Sequence, residues 1–255
     1  MRRSASFGLL ALVACMPATG MAQAWAQNWP IKPPAPVATP APSPSPAVHA
    51  VAVRIPFKAD FRDAAPPPEV KLVADWALDS TDNRGLPYLI VDKVDATVFV
   101  FDARGRLQGT GPALLGITPG DRAPAGVGAE KLAAMPVQDR ITPAGRFVAS
   151  LDRDLHGQSI LWIDYASALA LHRIVKGTVD ERRAERMQTA SSQDNRISYG
   201  CINVPADFFD TVVIPAFKGT SGVVYILPEM GTARETFGAY DVDSGPGSHV
   251  AAKVP

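Results

Sequence analysis

The sequence predicts a mainly β fold, an antiparallel β-sandwich or meander that carries a few short α-helices. Three observations predict it: short runs of β-branched and aromatic residues recur along the chain, turn residues separate these runs, and the stretches with helical spacing are short. The chain has 255 residues, enough for one large domain or two small ones. Its composition is that of an ordinary globular protein, apart from 24 prolines that crowd into particular segments.

Seven segments carry the strand pattern. The first three follow one another with a glycine-containing turn at 102–106, which predicts a meander of antiparallel hairpins. Two later segments flank the short turn 166–168 and predict another hairpin. The predicted strands lie at 88–92, 96–102, 107–115, 142–148 (a tight turn that leads into a strand), 159–165, 169–175 and 222–227.

Helical patterns are short. Residues 70–78 fit either a helix or a strand. Thr178 and Glu181 have the spacing of a capping box, which predicts a short charged helix on a surface insertion. Pro205 begins an apolar stripe that predicts a helix to about Val213.

Pro215 is expected to end that last helix, because the residue before a proline is pushed out of the helical region. Between the strands, residues 116–136 are rich in Gly, Pro and Ala and have no clear period. So long a loop either lines a cleft or is a plain surface insertion, and both interpretations stay open.

The first 26 residues have the pattern of an export signal. A positive start precedes an apolar core at 7–14 that is too short to span a bilayer, and small residues predict cleavage after Ala24 or Ala26. Alternatively, the residues before Cys15 resemble a lipobox, in which case that cysteine would be lipidated. Both interpretations predict a periplasmic protein, with membrane contact only through a lipid anchor at Cys15.

The remaining chain divides by composition. Residues 27–75 are proline-rich and predict a tether, either an extended polyproline-like segment or a disordered spacer. A folded domain is expected at 76–230, followed by a flexible tail at 231–255. The net charge of zero argues against a nucleic-acid partner. We expect a monomer.

The residues with the clearest chemical potential lie at 196–205, around Cys201. Gly200 allows close approach to the sulfur, and the predicted helix start at Pro205 would favour a thiolate. A nucleophilic cysteine needs a nearby base. Of the four histidines, His172 is the best candidate, because it lies in an apolar strand pattern upstream of the cysteine. A buried thiol and a hydrogen-bonded core histidine remain the alternatives.

A zinc site that uses these two residues would lack two further ligands of suitable spacing. We therefore expect no metal and no cofactor.

The stretch Ser-Tyr-Gly-Cys-Ile-Asn at 198–203 resembles the signature of the L,D-transpeptidase catalytic (YkuD) family. The stretch Thr-Pro-Ala-Gly-Arg-Phe at 142–147 resembles the Thr-Pro-x-Gly-x-Phe turn of the same family, and the resemblance covers roughly 86–227. Two features depart from the family pattern. Tyr199 occupies the place of the motif histidine, and the gap between His172 and Cys201 is longer than usual because of the charged insertion.

The resemblance implies an L,D-transpeptidase-like domain that acts on peptidoglycan stem peptides. The cysteine would form a thioester with a stem tetrapeptide and pass it to an amine, which would crosslink the cell wall or attach something to it. Water as acceptor would make an L,D-carboxypeptidase, and loss of activity would leave a peptidoglycan-binding module. The implied roles are Cys201 as nucleophile, His172 as base, the backbone carbonyl of Arg173 as its orienting partner, the N–H groups of Tyr199, Gly200 and Cys201 as oxyanion donors, Ser198 and Asn203 in the cysteine loop, and Arg196 in substrate binding.

Overall fold

A computed structural model describes residues 55–127, 134–189 and 191–244. The predicted export signal with Cys15, most of the tether and the end of the tail lie outside these described residues. Within them, no helix has both the length and the apolar character needed to cross a membrane.

Ten strands form two sheets within the described residues. Eight strands make one mixed sheet, and two short strands pair with each other in parallel. The strands are β1 (Tyr88–Asp92), β2 (Thr97–Phe101), β3 (Leu107–Pro112), β4 (Leu115–Gly116), β5 (Gly145–Arg153), β6 (Ser159–Asp164), β7 (Leu169–Arg173), β8 (Arg196–Ser198), β9 (Ile202–Val204) and β10 (Ser221–Ile226).

The large sheet has the strand order β3-β2-β1-β10-β5-β6-β7-β9. The mainly β fold with short helices is confirmed, and the large sheet is mixed rather than purely antiparallel. The hairpins are antiparallel, whereas β1 pairs with β10 and β7 pairs with β9 in parallel. Parallel neighbours are joined by long crossover connections, and strand patterns in a sequence do not reveal which distant strands pair.

Short helices cover the two faces of the large sheet. Their bounds are α1 (Pro68–Asp79), α2 (Arg183–Arg186), α3 (Ala206–Phe208), α4 (Ile214–Phe217) and α5 (Ala233–Phe237), with 3₁₀ turns at Val137–Asp139, Val179–Glu181 and Ser192–Asn195 and a π-helical segment at Phe209–Val213.

Strand β1 shows how the two hydrophobic cores are divided. All five of its residues are buried. Leu89 and Val91 face the core that contains the α3–α4 region, while Tyr88 and Ile90 face the core that contains α1 and α5. Since side chains alternate along a strand, a strand covered on both faces is apolar throughout, as this one is up to its last residue.

The packed structure extends beyond the predicted domain bounds at both ends. On the N-terminal side of Trp76, Phe61 is buried and α1 begins with Pro68 at a first-turn position. On the C-terminal side, α5 lies in the segment expected to be a loose tail, with Gly238 as its left-handed C-cap. The ring of Phe237 stacks on Trp76 at 6.4 Å between centroids.

Pro215 does not end its helix, contrary to the prediction. The π-helical segment Phe209–Val213 precedes it, and α4 continues through Pro215 to Phe217. The widened turn spaces the backbone so that the missing N–H of the proline and its ring are tolerated.

The predicted capping box is present, with Glu181 accepting a hydrogen bond from the Thr178 N–H at 3.1 Å. The chain then turns through a left-handed residue, Arg182, before α2.

Candidate active site

The pairing of β7 with β9 brings the two candidate catalytic residues to the same face of the sheet. The register aligns Leu171 with Ile202 and His172 with Asn203. Because side chains alternate between faces, His172 and Asn203 point to one side, and Cys201, two positions before Asn203, lies on that side too.

The imidazole of His172 is oriented by its own strand. Its Nδ1 lies 2.7 Å from the carbonyl oxygen of Arg173. A carbonyl only accepts hydrogen bonds, so Nδ1 carries the proton of the neutral ring and Nε2 is left as an acceptor. The ring is thereby prepared to take a proton at Nε2.

Two side chains hold the loop that precedes β9. The Ser198 hydroxyl donates to the Cys201 carbonyl at 2.6 Å and accepts from the Gly200 N–H at 3.1 Å. The Asn203 side chain donates to the same Cys201 carbonyl at 3.2 Å. The Gly200 N–H is therefore engaged within the loop and is not directed at a substrate, contrary to the oxyanion role that the resemblance implied for it.

The Thr-Pro-Ala-Gly turn anchors the cysteine loop. Thr142 is fully buried, donates to the Gly200 carbonyl at 2.8 Å and accepts from the Gly116 N–H at 2.9 Å. Gly200 has φ +127°, and a Cβ at this position would lie 2.8 Å from the carbonyl oxygen of Ile141. A glycine is therefore required beside the cysteine.

The thiol is protonated at rest. Burial raises the pKa of Cys201 above its usual 9.0, although a backbone hydrogen bond from Ala170 opposes this. Sγ lies 3.4 Å from the carbonyl oxygen of Ala168, to which a thiol can donate. The expected thiolate next to a helix start is wrong, because β9 separates Cys201 from α3, which begins only at Ala206.

The imidazole is neutral near pH 7. Burial lowers the pKa of His172 below its ordinary 6.5; the hydrogen bond with the Arg173 backbone raises it, the positive charge of Arg183 lowers it, and Asp154 raises it. A neutral imidazole and a neutral thiol on the same face of the sheet have the protonation states of a general-base pair rather than those of a preformed ion pair.

A narrow crevice leads to Cys201. Its volume is about 20 Å³, little more than the space that one water needs. Met135, Ile141 and Tyr199 are among the side chains that line it. A peptide therefore reaches the sulfur only after some of these side chains shift.

The ring of Tyr199, which replaces the motif histidine, makes a cation–π contact with Arg140. The guanidinium carbon of Arg140 is 4.0 Å from the centre of its ring, and Arg140 also donates twice to the Met135 carbonyl, at 3.1 and 2.9 Å. This stack fixes the position of the phenol ring at the side of the crevice.

Arg196, which was expected to bind substrate, and the neighbouring Arg173 each have an acidic partner. Arg196 forms an ion pair with Glu229 and donates to the Lys93 carbonyl at 3.0 Å, away from the crevice. The guanidinium of Arg173 donates from Nε to Asp210 at 2.8 Å. Glu229 is the acidic partner of Arg196 within the fold, and the substrate-binding role of Arg196 stays a prediction.

Two arginines that the sequence reasoning missed lie close to the site instead, Arg140 and Arg183. The capping box predicted the start of the inserted segment, but nothing in the pattern indicated which of its arginines turns inward. Within the described residues, no cluster of three or more His, Cys, Asp or Glu side chains could hold a metal ion.

Neither the protein-family models nor the curated proteins contain a match to this chain. Among solved structures, the catalytic domain of an E. faecium L,D-transpeptidase matches 55% of this chain and 95% of its own, at 16% identity and a TM-score of 0.33. The L,D-transpeptidase LdtMt1 in complex with imipenem has the same identity, TM-score and share of this chain, with 58% of its own length covered.

A third match is a mutant of the helical cell shape determining protein Pgp2 from Campylobacter jejuni, over 66% of this chain and 58% of its own, at 11% identity and a TM-score of 0.39. Similarity at this level carries no argument about activity. The chemistry proposed for this chain therefore depends on the geometry around Cys201 and on the two sequence motifs.

Proposed function

We propose that this protein is an exported, periplasmic L,D-transpeptidase of peptidoglycan. Cys201 forms a thioester with a stem tetrapeptide and passes the acyl group to an amine, which crosslinks the cell wall or attaches another molecule to it. The export signal, with or without lipidation at Cys15, would deliver the domain to that compartment, and the proline-rich segment would give it reach.

In the proposed first half-reaction, the Cys201 thiol loses its proton to Nε2 of His172 as sulfur attacks the carbonyl carbon before a D-alanine. The negative charge on the carbonyl oxygen is stabilised by the N–H groups of Tyr199 and Cys201. The C–N bond then breaks, and the protonated imidazole gives its proton to the departing amine. A thioester and free D-alanine result.

In the second half-reaction, an acceptor amine attacks the thioester and transfers a proton to His172. The C–S bond breaks, and the sulfur recovers the proton. If water takes the place of the amine, the same intermediate yields a shortened stem peptide, which is the L,D-carboxypeptidase alternative.

The observation that supports the proposal most is the orientation of His172. Its Nδ1 is held by the Arg173 carbonyl, so Nε2 is the free acceptor on the face that also carries Cys201.

Incubation of the mature protein with tetrapeptide muropeptides tests the proposal. We expect a crosslinked dimer whose mass equals two muropeptides minus one D-alanine, and no such product from Cys201→Ala. His172→Gln should retain the fold and lose most of the rate, since a positioned base supplies about 10²–10⁴-fold. Release of D-alanine without dimer would instead identify the carboxypeptidase.

The narrow crevice and Tyr199 favour a second candidate, a non-catalytic peptidoglycan-binding module. The two candidates differ in their response to imipenem, which would acylate an active Cys201 and add its mass to the intact protein. A module without activity would show no adduct, and its retention on peptidoglycan would be the same in Cys201→Ala.

A further inference from the structure

We propose that Arg183, from the inserted segment between His172 and Cys201, is a positioning residue of the active site. It orders Asn203, and through it the cysteine loop, and it presents a fixed positive charge to the face that carries the imidazole. This inference builds on the transpeptidase proposed above. It assigns a purpose to a segment whose composition had indicated only surface structure.

Hydrogen bonds connect Arg183 to the nucleophile in two steps. Its Nη1 donates to the side-chain oxygen of Asn203 at 3.3 Å, and the side-chain nitrogen of Asn203 donates to the Cys201 carbonyl at 3.2 Å. The Arg183 side chain is only 7% exposed, and Asn203 is almost fully buried. Since an amide can rotate, an acceptor bond at its oxygen determines which end faces the cysteine loop.

The same contact places Arg183 near His172. Asn203 is the direct neighbour of His172 across the β7–β9 pair. Burial and Arg183 lower the pKa of His172, while Asp154 and the Arg173 carbonyl raise it. Burial is the larger cause of the lowered pKa, and Arg183 is the charged side chain that adds to it and so favours the neutral imidazole, the form that can accept a proton.

The inserted segment is shaped to turn this one arginine inward. Glu181 of the capping box pairs with its Nε at 2.8 Å, so the buried charge has a partner. Gly177 makes the necessary room, because a Cβ there would lie 2.7 Å from the same nitrogen. The adjacent Arg182 adopts a left-handed conformation and leaves its own side chain 66% exposed.

Arg182 is therefore the matched control. NMR titration of the His172 ring in the wild type, Arg183→Met and Arg182→Met measures the effect without any need for enzyme activity. We expect the midpoint of His172 to move to higher pH in Arg183→Met and to stay in place in Arg182→Met. Equal midpoints in all three proteins would overturn the proposal.

Muropeptide turnover supplies the second measurement. We expect Arg183→Met to lower kcat by about tenfold to a hundredfold, part of what a positioned base contributes, and to shift the acid limb of the pH profile upward. Arg182→Met should behave as the wild type. A rise in KM alone, with kcat and the acid limb of the pH profile unchanged, would assign Arg183 to substrate binding and contradict the positioning role.

If Arg183→Met does not fold, Arg183→Lys tests the same positioning role. Lysine keeps the charge but has no planar fork to reach Asn203, so we expect a wild-type His172 midpoint together with a reduced kcat. A wild-type kcat would overturn the ordering of Asn203. If the wild type itself makes no product while the midpoint still shifts in Arg183→Met, the transpeptidase proposal fails and the effect of Arg183 on His172 stands.

Discussion

At the scale of single residues, one hydroxyl joins three parts of the chain. Thr142 accepts a hydrogen bond from Gly116 next to the glycine-rich loop and donates one to Gly200 in the cysteine loop. Its own carbonyl accepts from the buried Lys93 at 3.0 Å. The Thr-Pro-x-Gly-x-Phe turn therefore holds the cysteine loop in place through hydrogen bonds of Thr142. The sequence resemblance alone did not indicate this structural role.

Gly200→Ala should destabilise the fold. The φ of +127° costs a non-glycine residue about 1–3 kcal/mol, and the added Cβ would also press on the Ile141 carbonyl. Gly157→Ala is the control, because its φ is also positive, at +76°, but no atom lies within 4 Å of an added Cβ. Urea denaturation should show a larger loss for Gly200→Ala. Equal losses would mean that the contact with Ile141 adds nothing.

The reactivity of the thiol should reflect its raised pKa. Because burial keeps Cys201 protonated near pH 7, the rate of alkylation by iodoacetamide should keep rising as the pH passes 9. The two cysteines of the chain are Cys15 and Cys201, so a protein that begins at Gln27 reports on one thiol. A rate that levels off by pH 7 would contradict the neutral pair and support a thiolate–imidazolium pair.

At the scale of elements, the local patterns were informative and the distant partners were not. The strands at 88–92 and 169–175 were predictable from β-branched and apolar runs, and the capping box predicted where the insertion becomes helical. The acidic partner of Arg196 could not be predicted from the sequence, because Glu229 lies 33 residues further along the chain. A charged side chain looks the same in a sequence whether it faces water or an acid in the fold.

The helix α5 illustrates the same limit. It is too short to give a periodic signal, yet Phe237 contacts Trp76 and Tyr225, with the second pair of ring centres 5.7 Å apart. Its stability comes from tertiary packing, as is usual for short helices.

Phe237→Ala should therefore cost about 1–3 kcal/mol of unfolding free energy, since the ring is half-buried and part of an aromatic cluster. Met230→Ala, a change at a side chain that is 83% exposed in the same segment, should cost little. Thermal or urea denaturation measures both. A negligible loss of unfolding free energy for Phe237→Ala would contradict the packing of α5 and support the flexible tail that the sequence predicted.

At the scale of the whole molecule, the two candidate catalytic residues should shape how stability depends on pH. The folded pKa of His172 lies below its ordinary 6.5, so its contribution is complete above that value and declines as the pH falls. The folded pKa of Cys201 lies above 9.0, so its contribution is complete below that value and declines as the pH rises. Their combined contribution is greatest between these two values.

Urea denaturation across pH can isolate these contributions by difference. Subtraction of the His172→Gln curve from that of the wild type should leave a decline on the acid side only. Subtraction of the Cys201→Ala curve should leave a decline on the alkaline side only. A difference with the opposite slope would mean that burial does not control the ionisation of that group.

The strand order of the large sheet has a consequence for how the chain is made. Strand β10 ends at Ile226, yet it sits in the middle of the sheet, between β1 and β5. During synthesis, the strands β3-β2-β1 and the strands β5-β6-β7-β9 form two separate half-sheets. Each half-sheet keeps an unpaired edge until β10 has been made and pairs with both of them. The centre of the sheet therefore closes only when β10, close to the C-terminal end of the described residues, is available.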